Sequence, residues 1–193
     1  MLTTAEIARG VQGALGFLQR DRAAPMRFEN TVEGCLRSFQ VMVLVAPIYA
    51  LCRYVAYAGV SYTADDLDVV LAEGLRYVVD WLLFPVIFHE IARRRGWLSR
   101  YPRYIAALNW INLPLIVLAL AAVVAGSLLP PALGSALDLG LQAVLFYWFL
   151  MATRMVLGIS WMQATLLLVV NWVPSLLLSL IVARYVGIVS VVG

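Results

Sequence analysis

Residues 75–90 read LRYVVDWLLFPVIFHE. The stretch is apolar enough for lipid, yet it carries Arg76, Asp80, Pro85, His89 and Glu90. Whether it crosses a bilayer decides the fold, because its crossing sets the side on which every later charge falls. Across the chain, hydrophobic residues make up 63% and charged ones 13%. A soluble domain of this size needs more polar surface, so the surplus apolar surface is expected to face lipid.

All 14 basic residues are arginine, and the wealth of Ala, Leu, Val and Gly reads as the product of a GC-rich, bacterial genome. The first twenty residues lack the basic start, unbroken apolar core and cleavage site of a signal peptide. Cys35 and Cys52 have no metal-like spacing and read as two buried thiols.

Outward from the opening stretch, five apolar segments lie near the ~20 residues that cross a ~30 Å hydrocarbon core. They cover about 38–60, 67–93, 104–126, 136–157 and 161–185. The expected fold is an all-α polytopic membrane helix bundle with five transmembrane helices. Residues 1–37 form a cytoplasmic amphipathic segment, and 38–193 form the membrane domain. In the former, Thr3 and Glu6 have capping-box spacing, and Ile7, Val11, Ala14, Leu15 and Leu18 recur at helical spacing. That helix is expected in the headgroup plane, ordered on the bilayer or a partner and weakened by Gly10, Gly13 and Gly16. The connection GIS at 158–160 is so short that the last two helices must form an antiparallel hairpin.

Orientation follows from the arginines. With a cytoplasmic N-terminus and five crossings, Arg9, Arg20, Arg22, Arg27 and Arg37 share a side with Arg93, Arg94, Arg95, Arg100 and Arg103. Asp65, Asp66 and Asp68 then fall outside, as does the C-terminus, which satisfies the positive-inside rule. The expected location is a bacterial inner membrane.

Glu73, Arg76, Asp80, Ile87 and Glu90 occupy about a third of the circumference of one helix. Arg76 stands three residues after Glu73 and four before Asp80, so one guanidinium can bridge both carboxylates. An unpaired arginine or aspartate near the bilayer centre costs roughly 2.5–3.5 kcal/mol on insertion scales, and pairing removes most of that. Arg53 lies at a depth similar to Glu73 on the preceding, antiparallel segment and is the expected further partner. The network Arg53–Glu73–Arg76–Asp80 therefore either locks helices together or lines a polar path.

Asp80-Trp81 precedes Pro85, Asn109-Trp110 precedes Pro114, and Asn171-Trp172 precedes Pro174. Proline frees a helix carbonyl, which neighbouring polar groups can satisfy. Asn109, Asn112 and Asn171, with Gln142 and Gln163, either surround a small hydrated pocket or glue the helices together. The arginines of 93–103 (Arg93, Arg94, Arg95, Arg100 and Arg103) can meet anionic headgroups or a partner, or simply set topology.

Catalytic chemistry is not expected. The single histidine excludes a multi-histidine metal site, and Arg93 stands where the HEIAR stretch would need a second one. No serine elbow, phosphate loop or dinucleotide fingerprint occurs, and no cofactor is implied. The arginine patch lies against the membrane, so nucleic acid is not an expected partner.

The layout from WLLFPVIFHEIARRRG (81–96) through RYIAALNWINLPLIVLALAAVVAG (103–126) to RMVLGISWMQATLLLVVNWVPSLLLSLIV (154–182) resembles small bacterial proteins of the Yip1-like family. The likeness spans roughly residues 35–186 and lies in hydropathy, loop lengths and the compact hairpin. The eukaryotic members' DLYGP and GYG motifs are absent. The resemblance implies a five-span, non-enzymatic membrane protein that organises membranes or assembles complexes, and it assigns no site residue; besides the bilayer, the expected partner is another membrane protein or a further copy in a homo-oligomer. The alternative is a small-solute or proton transporter using the polar pocket.

Overall fold

The computed structural model describes residues 2–58 and 60–188, and every regular element among them is a helix. Helix α1 is Thr4–Leu18, α2 Val32–Ser38, α3 Val41–Tyr57, α4 Asp66–Arg95, α5 Tyr101–Ser127, α6 Pro131–Leu157 and α7 Trp161–Val186. Helix α1 starts where its capping box requires. The Thr3 hydroxyl accepts from the Glu6 N–H at 3.2 Å, and the Glu6 carboxylate accepts from the Thr3 N–H at 2.7 Å.

Helix α1 packs on α5 and α6 with Gly10, Gly13, Ala14 and Phe17 buried. These positions, at i, i+3, i+4 and i+7, form one stripe. The glycines that weaken the helix as an isolated element are its docking face. A Cβ on Gly10 would collide with the Trp110 indole, and one on Gly13 with the Phe28 ring. The buried Trp148 indole N–H closes the contact by donating to the Ala14 carbonyl at 2.7 Å. One hydrophobic core consequently runs from Ala14, Phe17 and Phe28 into Phe88, Tyr104 and Trp148, across the boundary drawn after residue 37.

Four helical segments are long and apolar enough to cross a membrane: Val32–Tyr57, Leu98–Ser127, Pro131–Leu157 and Trp161–Val186. Helix α4, with 30 residues, is about 45 Å long at 1.5 Å per residue, but its charges keep it out of that group. It runs antiparallel to α7 along the whole of that helix. At one end the Thr63 and Ala64 N–H groups donate to the Val186 carbonyl at 3.2 and 3.1 Å, and Val69 packs on Val182. At the other end Ile91 and Arg94 face Gln163 and Leu166. The α6–α7 hairpin turns on Gly158, whose φ of 65° suits a residue without Cβ, and restarts at Ser160, which caps α7 with Gln163.

Both arginine clusters lie at one end of the bundle. The Asn30 amide donates to the Ser99 carbonyl at 2.7 Å, Arg103 Nε donates to the Phe28 carbonyl at 3.2 Å, and Arg37 pairs with Glu6. Asp65 and Asp66 stand at the opposite end, beside the C-terminus of α7.

Candidate functional site

The charged network of α3 and α4 centres on Glu73, which is 6% exposed. One carboxylate oxygen accepts from Arg53 Nη2 at 2.8 Å and the Tyr57 hydroxyl at 2.9 Å. The other accepts from the Tyr49 hydroxyl at 2.8 Å and Arg76 Nη1 at 3.4 Å. Four donors on two helices thus converge on one anion, which compensates its desolvation as burial of a charge requires. The Arg53 guanidinium also lies 5.0 Å from the Tyr57 ring centroid, a cation–π distance. Two arginines face two carboxylates, and the network is neutral.

The two tyrosines were not among the residues singled out from sequence. Their signal is the row Tyr49, Arg53, Tyr57 at i, i+4, i+8, which puts both hydroxyls on the Arg53 face of α3.

The Asp80 end is looser. Arg76 Nε stands 3.6 Å from Asp80 Oδ2, an ion-pair separation beyond hydrogen-bond length, and buried Oδ1 has no partner among the described residues. Asp80 lies on the shared wall of two cavities of about 190 and 270 Å³. Asn112 and Asn171 line both, Asn109 and Gln142 line the first, and Ser175 lines the second. Asn109 is also a tether, since its buried amide donates to Ser38 Oγ at 2.9 Å and fixes α2 on α5. Gln163 lies away from these cavities; its side-chain oxygen caps α7 by accepting from the Ser160 N–H at 3.1 Å. Helices α4, α5 and α7 continue unbroken through Pro85, Pro114 and Pro174.

Four of the five arginines of 93–103 divide into two sets. Arg93 and Arg94 both pair with Glu90 at the surface. Arg100 donates to the Leu157 carbonyl and Arg103 to that of Phe28, so each of these two has a bond within the chain. Leu157 is the last residue of α6, where helix carbonyls lack an internal donor and attract a cation. His89 packs edge-on against Tyr101, and both cysteines are free thiols. No group of three or more metal-ligating side chains occurs among the described residues.

No family model matches the chain, and no curated protein or solved structure matches it.

Proposed function

We propose that the protein is a five-span, non-enzymatic inner-membrane protein that organises or assembles other membrane components, with its N-terminus cytoplasmic and C-terminus outside. The carrying observation is the closed network on Glu73: its four partners come from its own chain, and the charges balance. A site that hands a charged solute onward needs polar groups free to exchange partners. Here both oxygens of Glu73 are taken up in joining α3 to α4. The antiparallel run of α4 along α7 supports α4 as the fifth span, because its charged stripe then traverses the same depth while turned to protein. Both arginine clusters at one end and the aspartates at the other suit the positive-inside rule. A layout like that of the Yip1-like family accords with this role.

A second reading has its own observation. The unpartnered oxygen of Asp80 between two cavities that Asn112 and Asn171 both line suits a carboxylate that takes up a proton or small cation during transport. Asp80→Asn separates the two. Under the organising role, the variant in proteoliposomes shows lower thermal stability or poorer recovery of co-purifying proteins, and neither it nor the wild type conducts protons or monovalent cations. Wild-type flux that Asp80→Asn abolishes in a folded protein would establish transport instead.

A further inference from the structure

Where the last turn of α4 meets the first turns of α7, a cleft of about 260 Å³ opens on the bundle surface. Its lining carries Arg94, Arg95, the Trp97 indole and Gln163 on the polar side, and Val170, exposed Leu166 and buried Leu167 on the apolar side. The polar side offers donors almost alone. Arg95 has no carboxylate partner among the described residues, and the one glutamate nearby, Glu90, is already shared by Arg93 and Arg94. The oxygen of Gln163 is taken by the α7 cap, and its NH₂ has no acceptor among the described residues. Donors of two cations, an amide and an indole suit an anion with several acceptor oxygens. The apolar side suits a hydrocarbon chain, which a free anion would leave uncovered.

The geometry points to a binding site for an anionic phospholipid of the cytoplasmic leaflet, its phosphate on Arg94 and Arg95 and one acyl chain along Leu166 and Val170. This inference rests on the spanning orientation proposed above. It adds a ligand to the organising role: the protein gathers anionic lipid at the α4–α7 seam.

The test is native mass spectrometry of the full chain in mild detergent with phosphatidylglycerol, phosphatidylcholine or glycerol phosphate. Phosphatidylglycerol should bind preferentially at one molecule per chain, and glycerol phosphate should not bind. Each basic side chain near a membrane surface contributes about 1 kcal/mol, so R94Q/R95Q should reduce relative affinity for phosphatidylglycerol about thirty-fold. Val170→Trp, filling the apolar side, should expel both lipids, whereas Arg184→Gln at the far end of α7 should change neither. Equal wild-type binding of the two lipids, undiminished preference in R94Q/R95Q, or equally tight glycerol phosphate would overturn the site. So would a co-purifying protein that occupies the cleft and is lost in R94Q/R95Q while lipid binding persists. Cysteine accessibility at positions 65 and 95 in the same membranes keeps the two claims apart. Same-side labelling defeats the orientation, and opposite-side labelling without lipid preference defeats the lipid site alone.

Discussion

Glu73→Gln is the sharpest probe of the network. A glutamine whose oxygen takes the place facing Arg53 and Tyr57 keeps both of those bonds, at 2.8 and 2.9 Å in the wild type. Its NH₂ must then occupy the place facing Tyr49 and Arg76. The tyrosine hydroxyl can turn to accept, but the guanidinium cannot. Arg53 and Arg76 are left with Asp80 as the only remaining carboxylate of the network, at 3.6 Å from Arg76. Breaking a buried ion pair by removing one partner costs about 3–5 kcal/mol. Arg53 is 30% exposed and Arg76 16%, so screening at Arg53 puts the expected loss at the lower end, about 3 kcal/mol. That is a factor of about 150 in the unfolding equilibrium. Asp80→Asn, which loses one long ion pair, should cost about 1 kcal/mol or less. Unfolding in lipid bicelles, followed by tryptophan fluorescence, measures both. Pairing Glu73→Gln with Arg53→Gln removes one charge of each sign and should recover part of the loss. A Glu73→Gln variant within about 1 kcal/mol of wild type, or costing no more than Asp80→Asn, would refute Glu73 as the centre of the network.

Gly10→Ala should loosen α1, because its Cβ meets the Trp110 ring; overpacking of this kind costs about 1–3 kcal/mol, read as faster proteolysis within residues 2–31 and a lower Tm. Acidification should fray the same helix. The Thr3 backbone N–H, then its hydroxyl, then Arg37 and Arg9 hold the Glu6 carboxyl below its ordinary value of 4.5. The stability it contributes is complete above that value and lost as pH falls through the depressed one; hydrogen exchange at residues 4–8 should speed up over that window in the wild type but not in Glu6→Gln. Single cysteines at positions 65 and 95, in a background lacking Cys35 and Cys52, should label from opposite sides of the membrane. Labelling from one side would remove α4 as a span and the orientation with it.

The Arg53–Glu73 contact was legible before any coordinates, because a helix advances about 1.5 Å per residue and equal depth on antiparallel neighbours brings two side chains level. The stripe Glu73, Arg76, Asp80 was legible for the same local reason, as were the α1 cap and the α6–α7 hairpin, whose geometry needs only a few consecutive residues. Helical content, apolar spans and the grouping of arginines are likewise properties of short windows and composition. Other features were decided by what each surface meets. Gly10 and Gly13 read as weakness in an isolated helix and become a docking face only when Trp110 and Phe28 are opposite them. The arginines of 93–103 are alike as a sequence run, yet Arg100 and Arg103 find backbone carbonyls from distant segments while Arg94 and Arg95 are left at the surface. Periodicity shows which side chains share a face, but the partner of that face comes from elsewhere in the chain, and only folding supplies it.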